Sequence, residues 1–181
     1  AAAGGIGQAN TLDVTASTQL NADTDAGDDA NIDIDSIGDV TVGLIDAGAG
    51  DVTLDSTGDI DPTTDDGTAD IEGATVSLVA AAGGIGQANT LDVTASTQLN
   101  ADTDAGDDAN ILIDGIGAIP VGVITAGADG GNIELDSTGA ISDTNDGVAS
   151  IIGTNAIIRS DGGTGSGTSG GTNDLETSIS N

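Results

Sequence analysis

Carboxylates are the most abundant ionisable side chains in this sequence. There are 31 Asp and Glu residues against a single basic residue, Arg159, which gives a formal net charge of −30. Their densest grouping is the loop DTDAGDD, which occurs twice and contributes Asp23, Asp25, Asp28, Asp29, Asp102, Asp104, Asp107 and Asp108. Calcium takes about six to eight hard oxygen ligands, and aspartates around a glycine can supply several of them. The glycine falls one place late for an EF-hand and no Glu closes the loop, so a calcium site and a plain polar turn both stay open.

The sequence offers little to a catalytic mechanism. It contains no His and no Cys, the residues that most often serve in acid–base and nucleophilic steps. It has no aromatic residue to stack on a sugar. Polysaccharide lyases need a basic or metal-assisted site, and Arg159 is the only basic residue of this sequence. We therefore expect a protein that is not an enzyme and requires no cofactor, with calcium as the ion its acidic loops would take.

A long internal repeat organises the chain. Residues 1–32 return unchanged as residues 80–111, which defines a 79-residue repeat, and the segments that follow remain alignable. Self-similarity at a fixed period is typical of repeat architectures, which build length and surface. We expect repeat 1 at residues 1–79, repeat 2 at residues 80–160, and a Gly/Ser-rich turn with the start of a third repeat at residues 161–181.

Short runs of alternating apolar and polar residues recur within the repeat. The apolar residues that open them are Leu12, Ile32, Val52, Ile71, Leu91, Ile111, Ile133, Ile151 and Leu175. Alternation with period two indicates half-buried β-strands. Their spacing predicts an all-β fold, a parallel β-helix (β-solenoid) with about 20 residues per coil and four coils per 79-residue repeat. The chain lacks aromatic residues and Met, but Ile, Val, Leu and Ala can fill so narrow an interior.

The polar positions between these apolar residues predict one outward-facing row, mostly acidic. Its members would be Asp13, Asp33, Thr53, Glu72, Asp92, Leu112, Glu134, Ile152 and Glu176, about 4.8 Å apart. Carboxylates at that spacing repel, and bound cations or salt would relieve the repulsion. Leu112 and Ile152 interrupt the row, and Ile157 adds to them, which predicts lateral packing between rods. The alternative is a register slip that turns these side chains inward.

The charge also bears on partners and location. A polyanion repels nucleic acid and anionic membranes, so we expect neither nucleic-acid binding nor membrane insertion. The longest apolar stretch, residues 76–85, is too short to span a bilayer. With no basic signal-peptide region and a repeated, cysteine-free composition, the sequence is interpreted as an internal piece of a longer exported protein at a bacterial cell surface.

Four segments carry a family resemblance: GGIG at residues 4–7, TDAGDDANIDI at residues 24–34, GDVTLDSTGDI at residues 50–60 and DLETSISN at residues 174–181. Their rhythm resembles the repeat regions of filamentous-haemagglutinin-like exoproteins and other giant bacterial surface adhesins. The resemblance covers essentially the whole chain. It implies a right-handed parallel β-helix that serves as an extracellular stalk or fibre.

These observations predict a structural role. The chain would be a repeat segment of an extracellular bacterial fibre, adhesin stalk or matrix filament that assembles with itself, end to end or laterally. The alternative is a calcium-dependent adhesin segment with its own ligand-binding face, directed at host or neighbouring cell surfaces. A stalk should repeat one face along its length, whereas a binding module should carry a face unlike the others.

Overall fold

Parallel strands make up the regular structure of this protein. A computed structural model describes residues 4–15, 18–24, 29–103, 109–127, 129–145, 148–165 and 175–179. These residues contain no helix. Their strands are β1 (Leu12–Val14), β2 (Leu20–Asp23), β3 (Ile32–Ser36), β4 (Val40–Asp46), β5 (Val52–Ser56), β6 (Ile60–Pro62), β7 (Ile71–Ala80), β8 (Leu91–Asp102), β9 (Ile111–Gly115), β10 (Ile119–Thr125), β11 (Asn132–Ser137), β12 (Ile141–Asp143), β13 (Ile151–Gly153), β14 (Asn155–Ser160) and β15 (Thr177–Ile179).

The strands stack in two ladders, and the first ladder runs through Ile32, Val52, Val76, Leu99 and Val121. Each of these residues pairs in parallel register with the next. The steps between them are unequal, because the loops that connect the strands differ in length. Since neighbouring strands lie about 4.8 Å apart, the chain climbs by that distance in each coil. The result is a β-solenoid of about 6 turns.

The second ladder runs through Val40, Ile60, Ile85, Ile111 and Ile133. These residues also pair in parallel, each with the next. Along the chain, each of these second-ladder residues comes after one residue of the first ladder and before the chain begins its next coil. Every coil therefore contributes a segment to both ladders, and the two ladders form the flanks of one shared core.

The all-β solenoid predicted from the sequence is confirmed, but its coils are longer than the spacing of the apolar residues predicts. The stacked coils have about 23 residues, so the 79-residue repeat covers about three and a half coils rather than four. The reason is that the regularly spaced apolar residues do not form one ladder. Val52 lies in the first ladder, whereas Ile71 pairs with Ile45 in the second. Strand β7 starts in the second ladder at Ile71 and reaches the first at Val76. The series of regularly spaced apolar residues therefore passes from one ladder to the other at this strand.

Stacked aliphatic side chains fill the interior. Alternate residues of β3 and β5 point inward, and Ile32, Ile34, Val52 and Leu54 are at most 1% exposed. Burying one such side chain stabilises the fold by about 1.5–3 kcal/mol. The continuous column of Ile, Val, Leu and Ala supplies the core that aromatic residues would supply in a rounder protein.

One corner of the coil shows how copied residues repeat a local structure. Gly38 and Gly117 have φ values of 87° and 89°, a region that favours glycine. The N–H of each donates a 2.7 Å hydrogen bond to a threonine hydroxyl one coil further on, Thr57 and Thr138 respectively. The same corner therefore forms in both ladders.

Candidate functional site

The structure describes three of the eight aspartates predicted as calcium ligands. Asp23 ends β2 in register with Asp46, Asp102 ends β8 in register with Thr125, and Asp29 is exposed with a φ of 50°. The other five, Asp25, Asp28, Asp104, Asp107 and Asp108, lie outside the described residues. Within the described ranges, no group of three or more His, Cys, Asp or Glu side chains is placed to hold a metal ion. The calcium sites therefore stay a prediction.

A buried threonine closes the base of each acidic loop. Thr24 Oγ1 donates to the carbonyl of Ala30 at 2.5 Å, and Thr103 Oγ1 donates to that of Ala109 at 2.6 Å. Both threonines are fully buried. The two loops start from different ladders and are closed in the same way, because the residues at their bases are identical.

The single outward row predicted at 20-residue steps is wrong. Asp33 is in register with Thr53 as expected, but Thr53 is followed by Ser77. Glu72 pairs with Asp46 in the other ladder. The longer coil and the change of ladder at β7 therefore distribute the acidic residues over several shorter rows.

The first acidic row consists of Asp13, Asp35 and Asp55, which stack in register in the first ladder. Val79 is the next residue in this row. Burial raises the pKa of Asp55, and the negative charges of Asp35 and Asp33 raise it further. The row therefore consists of carboxylates that repel one another across neighbouring coils.

The second acidic row consists of Asp92, Asp114 and Asp136, the repeat copies of the first row. They stack in register in the second ladder, and Arg159 is the next residue. Burial raises the pKa of Asp114, and the charges of Asp136 and Asp92 act in the same direction. The two rows thus place copies of the same aspartates on different flanks of the solenoid.

Arg159 ends the second acidic row with a guanidinium group. Its Nη1 donates to both carboxylate oxygens of Asp136, at 2.8 and 3.0 Å, and to Glu134 Oε1 at 2.5 Å. More than half of the Arg159 side chain is exposed, so solvent screens these ion pairs. Val79 occupies the equivalent place in the first ladder, so the first row ends on an apolar side chain where the second ends on a cation.

Each acidic row lines a shallow surface groove. The groove beside the second row has a volume of about 350 Å³, and the groove beside the first row has a volume of about 330 Å³. Copied residues line both of them. They differ at both ends: Gly67 lines only the second groove, and Arg159 and Asp161 line it where Val79 and Ala81 line the first.

Two acidic side chains are buried at the start of the second row. Asp92 is 1% exposed and Asp70 is 6% exposed. The N–H of Asp92 donates to Asp70 Oδ2 at 3.0 Å, and the N–H of Gly67 donates to Asp92 Oδ2 at 3.0 Å. Burial raises the pKa of Asp70 to about 7, and the charge of Asp92 adds to the effect while its N–H opposes it. Burial also raises the pKa of Asp92, whose Oδ1 finds no hydrogen-bond partner among the described residues.

Sequence reasoning missed this buried pair. Asp13, the copy of Asp92, lies in β1, the terminal strand of the sheet, where no other described strand covers it on one side. The pairing of Ile71 with Val93 brings Gly67 and Asp70, which precede Ile71 in the chain, beside Asp92. The pair therefore depends on the register between coils, for which the sequence carries no local signal.

The three residues predicted as a lateral interface do not share one surface. Leu112 and Ile157 lie on either side of Glu134 in one row of the second ladder, and the three line a groove of about 220 Å³. Ile157 is 47% exposed. Ile152 lies in the first ladder, in register with Thr125. The structure thus brings Leu112 and Ile157 together but not Ile152.

Comparisons with protein-family models, with curated proteins and with solved structures found no match for this chain. The resemblance to haemagglutinin-like repeat regions therefore stays a prediction from the sequence. The part of the chain that the structure describes includes no helix long and apolar enough to cross a membrane.

Proposed function

We propose that this chain is a structural segment of an extracellular bacterial fibre, such as an adhesin stalk or matrix filament. The observation that supports this most strongly is that one solenoid accommodates copies of the same residue in both ladders. Ile32 pairs with Val52 in the first ladder, and its copy Ile111 pairs with Ile133 in the second. Because both ladders accept the same sequence, a further repeat can continue the coil with the same geometry. Length is then added without any new kind of contact.

The hydrogen bonds between successive coils are of a kind that can hold a long rod together. Backbone hydrogen bonds join successive coils, as between the N–H of Ile32 and the carbonyl of Asp51 and between the N–H of Val40 and the carbonyl of Asp59, both 2.8 Å. In a solenoid each coil contacts only its neighbours, so stability grows with each added coil. The unpaired strand edges at the ends of a stack favour pairing with further repeats, which makes the chain its own main partner.

The charge suits an extracellular location. A formal charge of −30 keeps neighbouring rods apart and soluble, and repels nucleic acid and anionic membranes. The stacked aliphatic core and the backbone ladders require no cofactor. We propose no catalytic role.

A calcium-dependent adhesin segment is the second candidate. The observation that favours it is the identical closure of the two acidic loops by Thr24 and Thr103 in different ladders. Calcium bound there would place the same ion-bearing loop on both flanks, where host or neighbouring cell surfaces could be reached.

Electron microscopy of this chain and of chains lengthened by two and four further repeats tests the proposal. Each repeat covers about three and a half coils, so we expect the rod to lengthen by about 17 Å per repeat. The rods should survive removal of calcium by a chelator. Rods that fray on chelation would support the calcium-dependent alternative, and particles whose length does not grow with repeat number would overturn the structural proposal.

A further inference from the structure

We propose that Asp143 and Glu176 share one proton that attaches β15 to the solenoid, and that β15 is released when the pair loses this proton to solvent at high pH. Among the described residues of 161–181, the segment predicted to start a third repeat, β15 is the only strand. The proposal concerns this junction alone and does not require that the chain be part of a fibre.

Asp143 occupies a position in the core. It is in register with Val121, which continues the inward column of Val76 and Leu99 in the first ladder. Those three aliphatic side chains are fully buried, and Asp143 itself is 3% exposed. A carboxylate is costly at such a position unless other groups form hydrogen bonds with it. The partners of Asp143 therefore contribute to the stability of this end of the core.

Two groups of the loop that follows β12 bind one oxygen of Asp143. The hydroxyl of Ser150 donates to Oδ1 at 2.6 Å, and the N–H of Asn145 donates to it at 2.8 Å. The Oδ2 atom is buried, and no N–H or hydroxyl group of the described residues donates to it. The side chain of Glu176 also hydrogen-bonds to Asp143. Because an ionised carboxylate can only accept, this last bond requires a proton on one of the two carboxyl groups.

The surroundings assign that proton to Glu176. Burial raises the pKa of Asp143, but the hydrogen bonds from Ser150, Asn145 and Glu176 outweigh burial and lower the pKa. Asp143 is therefore the ionised acceptor and Glu176 the donor. The strands β10, β13 and β15 and the described part of the loop between β12 and β13 contain no other ionisable residue, and Asp146 of that loop lies outside the described residues. Without the proton, two carboxylates would repel each other at a buried site.

Few other contacts hold β15 in place. The N–H groups of Ser150 and Ile151 donate to the carbonyl of Glu176 at 2.8 and 3.1 Å, and β15 continues in register with β13. Leu175 adds a partly buried side chain. All three residues of β15 are exposed, including Ile179 at 40%. The attached strand keeps a proton that the released strand gives up, so attachment weakens as the pH rises.

The junction between repeats 1 and 2 differs in its side chains. There the N–H of Asp70 donates to the carbonyl of Asp92 at 2.8 Å, as that of Ser150 donates to Glu176. The carboxylates accept N–H groups instead, Asp92 Oδ2 from Gly67 and Asp70 Oδ2 from Asp92. Neither bond needs a carboxyl proton, and β8 extends for 12 residues. We therefore expect β8 to stay attached over the pH range in which β15 is released.

The test is ¹⁵N relaxation NMR of this chain at about pH 5 and about pH 8, which shows whether β15 tumbles with the solenoid. For the unchanged chain we expect backbone order parameters in β15 of about 0.8 at the lower pH and below about 0.6 at the higher pH. The order parameters of β8, the internal reference, should stay near about 0.85 at both.

Two neutral variants should abolish the release. Glu176→Gln replaces the shared proton by an amide N–H that donates to Asp143 at either pH, so β15 should stay rigid at both. Asp143→Asn provides an amide that donates to ionised Glu176 and should have the same effect. The matched control is Asp70→Asn, which neutralises a buried carboxyl group at the other junction and should leave the release of β15 unchanged.

An order parameter of β15 that is the same at both pH values in the unchanged chain would overturn the proposal. Release of β15 in Glu176→Gln, as in the unchanged chain, would also overturn it. Equal rescue by Asp70→Asn would overturn it too, because total charge would then govern the release. If circular dichroism shows that either Glu176→Gln or Asp143→Asn does not fold, the other variant decides.

Discussion

Ile32 and Ile111 are copies of the same residue of the repeat, and they lie in different ladders of the solenoid. Ile32 pairs with Val52 in the first ladder, and Ile111 pairs with Ile133 in the second. The 79-residue repeat covers about three and a half coils, so each copied residue moves to the other flank of the core. In a longer array two repeats would restore the starting flank, giving a structural period of about seven coils, or about 34 Å.

Cross-linking tests the register directly, because the chain contains no native cysteine. Thr53 and Ser77 are neighbours in the first ladder, and Cα atoms about 4.8 Å apart fall within the range that a disulfide bridges. We expect the double variant Thr53→Cys/Ser77→Cys to form an intramolecular disulfide on mild oxidation, detected by mass spectrometry. The pair Thr53→Cys/Glu72→Cys, which 20-residue steps would place together, should stay reduced. A disulfide in the second pair and none in the first would contradict the register.

Truncating a core side chain should be costly. Ile60 is fully buried in the second ladder, so Ile60→Ala removes apolar contacts and leaves a cavity. We expect its free energy of unfolding to fall by about 2–5 kcal/mol in urea denaturation. The control is Ile37→Ala, which removes the same atoms from a 62% exposed side chain and should change stability by less than about 0.5 kcal/mol. Similar losses in the two variants would contradict the assigned core.

Salt should stabilise this protein. The acidic rows place like charges about one strand spacing apart, and salt screens that repulsion. We expect the Tm to rise as sodium chloride increases from about 0.01 to 0.5 M. Asp35→Asn removes the middle charge of the first row and should raise the Tm at low salt by more than Asp129→Asn, a change at an exposed loop residue. If the two variants raised the Tm equally, the stability would depend on the total charge and not on the acidic rows.

The buried Asp70 should make stability depend on pH. Its pKa is raised from 3.8 to about 7 by burial in the folded state, so between those values the folded chain keeps a proton that the unfolded chain releases. The contribution of Asp70 to stability is therefore greatest below pH 4 and is lost as the pH rises to about 7. Asp70→Asn keeps an acceptor for the N–H of Asp92 and removes the buried charge.

We expect Asp70→Asn to be more stable than the unchanged chain at pH 8, by roughly 1–3 kcal/mol in urea denaturation, and to lose this advantage at pH 4. Asp65→Asn alters an exposed carboxylate of the same loop. Its effect on the free energy of unfolding should differ less between pH 8 and pH 4. A pH-independent effect of Asp70→Asn would mean that Asp70 is ionised in the folded state across this range.

The sequence by itself determined the fold class. Alternation within residues such as Ile32–Ser36 places apolar side chains on one face of a strand, and this depends only on neighbours along the chain. Such strands recur along the chain with glycine corners between them and no large side chains. A stacked solenoid is the arrangement that buries their apolar faces. The bases of the acidic loops also follow from local sequence, since Thr24 and Thr103 make the same hydrogen bond.

Only the tertiary structure decided the register. The alternation of apolar and polar residues in a short strand does not indicate which strand of the neighbouring coil it pairs with. A longer or shorter loop before the next coil leaves that alternation unchanged. The energies of the whole stack and the sizes of the intervening loops select the pairing. That selection separated Ile152 from Leu112, divided one predicted acidic row into several, and brought Asp70 beside Asp92.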